Sequence, residues 1–96
     1  MSVESVFEFR FSAASREEGF RLAQAIGNDM PSTEGYLDHQ VIRDVEDPGH
    51  LMVITRWGTR PQADAVLSEY VKHPNVQRVT ELLSGSPSGF VGDVVP

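Results

Sequence analysis

An α+β sandwich, one antiparallel sheet of four strands with helices on one face, is the fold this 96-residue sequence predicts. Three observations lead there. Residues 35–57, GYLDHQVIRDVEDPGHLMVITRW, alternate as two strands should around an Asp47-Pro48-Gly49 turn. Two helical stretches each follow a Ser or Thr with Glu or Gln three residues later, the capping-box signature. The order along the chain is then strand, helix, strand, strand, helix, strand, which is the ferredoxin-like arrangement.

The first strand covers 3–11, with Val3, Phe7, Phe9 and Phe11 on one face and Glu4, Val6, Glu8 and Arg10 on the other. Ser15 and Glu18 open a helix through Phe20, Leu22, Ala23 and Ile26 that is expected to stop near Gly27-Asn28. Gly19 either weakens this helix or lets a neighbour approach it closely. Residues 29–33, with Pro31, cross to the hairpin.

In the hairpin, Leu37, His39, Val41 and Arg43 share the face of Leu51, Val53, Thr55 and Trp57. With a loop of 46–50, Val41 meets Thr55 and His39 meets Trp57; a connection shortened by two residues pairs His39 with Thr55 instead. Both registers keep His39, Thr55 and Trp57 together. Thr59 and Gln62 cap the next helix, Pro61 sits harmlessly in its first turn, and Ala63, Val66, Leu67, Tyr70 and Val71 form its inner stripe. His73-Pro74 interrupts it, and Val76, Val79, Leu82 and Leu83 resume on a new axis, as a kink or as two short helices. Residues 84–89, SGSPSG, connect to a last strand at 90–95. One domain spans 1–96.

The other sheet face would carry Val6, Tyr36, Ile42, Met52 and Ile54 among Glu8, Arg10, Asp38, Gln40 and Arg56, a mixed surface suited to a second copy of the sheet. A back-to-back homodimer is the expectation. The net charge is −6, and the seven Arg and one Lys are scattered, which argues against nucleic-acid or anionic-membrane partners. Zero cysteines exclude disulfides, thiolate catalysis and Cys-bound metal. No apolar run of membrane-spanning length and no signal-like N-terminus is present, so a soluble cytoplasmic protein is expected.

Gly-Tyr-Leu at 35–37, Arg43-Asp44, Asp47-Pro48, Arg56-Trp57 and His73-Pro74-Asn75-Val76, in this order, resemble the antibiotic biosynthesis monooxygenase family of dimeric α+β barrels. The resemblance implies a sheet-to-sheet homodimer and a pocket between helices and sheet. In enzymatic members it implies oxidation of aromatic polyketides or quinols by molecular oxygen without flavin or metal. The quinone-forming branch uses an Asn four residues before the strand Trp and a Tyr six after it; here these are Val53 and Ala63. The haem-degrading branch uses a first-strand Asn and two helix residues that fall on Val66 and Thr80, so haem chemistry is disfavoured. Any polar site in this chain is its own.

Within that frame, His39 is the candidate base, since an imidazole titrates near neutral pH and can take a proton from a phenol. The plain alternative is a half-buried His bonded to Thr55 or to a carbonyl. Phe7, Phe9, Thr55, Trp57, Tyr70 and His73 are the candidate substrate-binding residues. Each has a structural alternative: core aromatics for Phe7, Phe9 and Trp57, helix packing for Tyr70, and a helix cap for His73. Arg43 would hold an acidic substituent or pair with Glu46 or Asp44. His50 reads as surface. No His pair has metal-binding spacing, so neither metal nor other cofactor is expected. Two functions follow: a cofactor-independent monooxygenase for a small electron-rich aromatic, or a non-catalytic dimeric binding or stress-related protein of the same fold.

Overall fold

In the computed structural model, which describes residues 3–70, 72–85 and 88–95, the alternating Phe strand β1 (Val3–Arg10) lies inside a four-stranded antiparallel sheet. The elements that follow are α1 (Arg16–Asp29), a 3₁₀ turn (Met30–Ser32), β2 (Tyr36–Arg43), β3 (His50–Trp57), α2 (Arg60–Tyr70), α3 (Pro74–Leu82) and β4 (Ser88–Asp93). The strand order is β2-β3-β1-β4, as the ferredoxin-like reading requires. The core joins Val3, Phe9, Leu51, Val53 and Trp57 of the sheet to Ala23, Ile26, Met30, Ala63, Val66, Tyr70 and Val79 of the helical layer. The Val71 position of the inner stripe lies outside the described residues, as do Ser86 and Pro87 of the connection before β4.

The hairpin adopts the His39–Thr55 pairing, with Val41 opposite Val53 and Arg43 opposite Leu51. Its connection is longer than expected rather than shorter, because residues 44–50 lie outside the ladder. The Asp47 carboxylate accepts from the Gly49 amide at 3.1 Å, and the Gly49 carbonyl accepts from Phe11 at 2.8 Å, tying the turn to the end of β1. At the other end a β-bulge falls between Tyr36 and Asp38, so Tyr36 lies opposite Trp57 while Asp38 lies opposite Arg56. This one-residue offset reverses two assignments. Tyr36 packs on the core instead of the open face, and Leu37 is 50% exposed instead of facing the helices.

Three local expectations also change. The α1 capping box does not form: Ser15 makes no side-chain cap bond, and Glu18 instead accepts from Arg78 of α3 at 2.9 and 3.1 Å. The helix runs past Gly27 to Asp29, and Gly27 is a contact rather than a stop, since a Cβ there would lie 3.0 Å from the His39 ring. Gly19 is the close approach that its position allowed, with the Phe11 ring 2.6 Å from where a Cβ would be. At the second helix the Thr59 hydroxyl accepts from the Gln62 amide at 3.4 Å, so half of that capping box is present. The His73-Pro74 break gives two separate helices, with His73 as the N-cap of α3. β4 starts at Ser88, earlier than expected.

Candidate functional site

The helix-facing side of β1 carries Phe7 and Phe9, stacked nearly parallel with centroids 6.4 Å apart. Beside them opens an apolar cleft of about 270 Å³, lined by Phe7, Phe9, Ile26, Leu67, Val76, Thr80, Ser88 and Gly89. Across the ladder Gly89 stands opposite Phe7 and offers no side chain to fill this space. Among the described residues Thr80 brings a polar side chain to this wall, while Ser88, opposite Glu8, directs its own to the other face; Thr80 donates to the Val76 carbonyl at 2.9 Å.

The other expected site residues sit elsewhere in the same layer. Trp57 is fully buried, and its indole N–H donates to Ser5 Oγ at 2.9 Å, while the Tyr36 ring meets it edge-on at 6.3 Å. Ser5 was not singled out in the sequence, although it interrupts the apolar alternation of Val3, Phe7 and Phe9 with a hydroxyl placed opposite Thr55. Thr55 is also fully buried, and its hydroxyl has no hydrogen-bond partner among the described residues. Among the described residues His39 bonds neither Thr55 nor a carbonyl. Its Nδ1 lies 2.7 Å from the Tyr36 hydroxyl, and its Cδ2–Nε2 edge rests against Gly27 of α1.

Tyr70 is buried between α2 and the chain near Thr33, and burial, then the nearby Asp29 charge, hold its hydroxyl above the usual phenol range. It therefore stays a neutral hydrogen-bonding group. His73 stacks on Tyr70 at 5.4 Å, accepts from the Asn75 amide at 3.1 Å and lies 3.4 Å from the Asp29 carboxylate. Phe7 and Phe9 thus line the cleft, His39, Thr55 and Trp57 gather with Tyr36 and Ser5, and Tyr70 with His73 forms a third group at the α2–α3 junction.

On the open sheet face, His50 is more than a surface residue. Its Nε2 lies 2.6 Å from Glu8 and its Nδ1 3.0 Å from Asp44, and these bonds, Asp44's first, raise its pKa above the ordinary imidazole value. The two carboxylates grip opposite edges of the ring. Among the described residues no group of three or more His, Asp or Glu converges as a metal site. Arg43 pairs with neither Asp44 nor Glu46 and instead lies over the Phe20 ring at 5.0 Å.

A helix-covered antiparallel sheet of this order, with an apolar cleft between the two layers, defines a small ferredoxin-like α+β protein. The sequence profile of the antibiotic biosynthesis monooxygenase family matches residues 3–82, and the chain belongs to that family. No curated protein matches it. Its fold is similar to a crystal structure of an antibiotic biosynthesis monooxygenase (TM-score 0.83, 16% identity, covering 98% of this chain and 99% of the other). It is also similar to Rv0793 from Mycobacterium tuberculosis (0.78, 18%, 100% and 97%). A mutant of SnoaB, a cofactor-independent oxygenase from Streptomyces nogalater, aligns at 0.71 with 16% identity, covering 99% and 94%. Among the described residues no helix is long and apolar enough to cross a membrane.

Proposed function

We propose that this family member is a cofactor-independent monooxygenase, oxidising a small electron-rich aromatic of phenol, quinol or polyketide-like type with molecular oxygen. The observation that carries the reading is the Phe7–Phe9 cleft. Its volume of about 270 Å³ lies just under the ~300–1,000 Å³ usual for small-molecule sites, which favours one or two rings. For a phenol with a free para position the reaction balances without a further reductant. One oxygen atom enters the ring, the other leaves as water, and the ring supplies all four electrons on becoming a quinone.

Apolar walls disfavour a buried phenolate, so the proton needs an acceptor close to the ring. His39 is that acceptor, and the role sets two conditions. Its Nδ1–H must donate to Tyr36 Oη, which leaves Nε2 free to accept. The phenol must also reach past Ile26, which lines the cleft, to the adjacent Gly27, against which His39 packs. Phe7 and Phe9 are the walls, and Thr55, Trp57, Tyr70 and His73, which lie outside the cleft lining, hold the layer around it. A cytoplasmic homodimer paired through the sheets completes the proposal, supported by the open-face Ile42 and Phe90, which are 43% and 60% exposed. Sedimentation at micromolar concentration checks the assembly.

Oxygen uptake with a panel of benzene- and naphthalene-diols tests the reaction. Wild type should consume oxygen, Val76→Phe, which fills the cleft, should not, and His39→Ala should lose roughly 10²-fold or more. Unchanged turnover in His39→Ala removes His39 as the base. A second reading, a non-catalytic aromatic-binding protein, is supported by the lack of any titratable side chain on the cleft wall among the described residues. Binding of the same diols without oxygen consumption would establish it.

A further inference from the structure

A second, chemically opposite site lies at the start of α1. Of the seven arginines, four have a carboxylate partner: Arg10 with Glu8, Arg56 with Asp38, Arg60 with Asp64, and Arg78 with Glu18 and Glu81. Arg16, Arg21 and Arg43 have none within 4.0 Å among the described residues. These three line one groove of about 460 Å³, together with Glu17, Phe20 and Pro48.

We propose that this groove binds a small dianion with a flat apolar body, an aromatic dicarboxylate or an aryl phosphate. Charge supports the ligand class. Three guanidiniums and one carboxylate line it, a local cationic excess on a chain whose overall charge is −6; Glu18, which also interacts with Arg21, is already held by Arg78. Geometry supports it as well. The cations come from two elements, Arg16 and Arg21 from the first turns of α1 and Arg43 from the end of β2, and so face a ligand from different sides. Arg43 is already placed by its stacking on Phe20, which lowers the ordering cost of binding while its planar N–H edge stays available for two-point contact with a carboxylate or phosphate. Phe20 and Pro48 supply the apolar floor. No residue lining this groove lines the Phe7–Phe9 cleft, so the inference stands or falls independently of the oxygenase reading.

The test is an amide and Arg Nε NMR titration of the full chain with phthalate and with phenyl phosphate, against sodium chloride at equal ionic strength. Saturable shifts should centre on Phe20, Arg21 and Arg43 with at least one probe, and the stronger probe identifies the oxyanion. Arg43→Gln and Arg21→Gln should each weaken binding about tenfold, while Arg60→Gln, a charge change outside the groove, should leave it unaltered. Shifts no larger than those with chloride, or equal weakening by Arg60→Gln, would overturn the proposal. Unchanged dispersion in the variant spectra separates loss of binding from loss of fold.

Discussion

Two parts of the same interior layer, both rich in aromatics, have opposite character. Around Trp57 the layer is solid: Trp57, Ser5, Thr55 and Val53 are all fully buried, and the indole N–H is satisfied by Ser5. Beside Phe7 it is open, because Gly89 of the edge strand stands opposite that residue and has no side chain. The number of aromatic side chains therefore does not decide where a ligand can go. The size of the residues across the ladder decides it, since a close-packed interior admits a ligand only where its own atoms fail to meet.

This contrast can be broken from either side. Opening the solid part should have the largest effect: Trp57→Ala should cost about 3–5 kcal/mol of stability in urea unfolding. Removing a polar partner there should come next. Ser5→Ala strands a buried indole N–H and should cost about 1–3 kcal/mol. Thr55→Val should go the other way. Its hydroxyl is buried without a partner, so the substitution should be neutral or gain up to about 1 kcal/mol. If Thr55→Val is clearly destabilising, an ordered water or a ligand satisfies that hydroxyl, and the solid part is less dry than described. Filling the open part with Val76→Phe should change stability by less than about 1.5 kcal/mol, because the added ring enters space that already exists.

The smallest expected effect lies on the open face. His50 has its pKa raised by Asp44 and Glu8, so its contribution is fully present below the unfolded imidazole pKa and is lost as pH rises through the raised folded value. Asp44 has its pKa lowered, chiefly by His50, so its contribution is present above the unfolded carboxylate pKa and is lost as pH falls through the lowered one. Stability from this pair should thus be greatest between the carboxylate and imidazole ranges. Urea midpoints from about pH 2 to about pH 9, a range that crosses both carboxylate and imidazole titration, should show that shape, and His50→Gln should flatten it.

Much of the architecture was legible because hydrophobic period is a local property. The Phe alternation, the Asp47-Pro48-Gly49 turn and the His73-Pro74 break each specify their own structure. What escaped depends on partners far along the chain. Glu18 looks like a cap until Arg78, sixty residues away, takes its carboxylate. Gly27 looks like a helix stop until His39 arrives against it. The cleft was hardest to foresee, because its lining comes from five elements and part of its volume comes from the side chain that Gly89 does not have. Polar and aromatic letters attract attention in a sequence; small ones at an edge strand made the room here.

The bulge at Leu37 has a consequence for how this hairpin can change over generations. It works as a frame marker in the side-chain alternation, with Tyr36 read in one frame and Asp38 through Arg43 in the other. Losing that single residue would restore a regular ladder with Tyr36 still opposite Trp57, whereas drawing Leu37 into the ladder would turn Tyr36 outward and take the hydroxyl partner from His39 and the edge-on neighbour from Trp57. At this point in the chain the loss of one codon would be a mild change, because a deletion removes the extra residue and leaves the tyrosine on its side of the sheet.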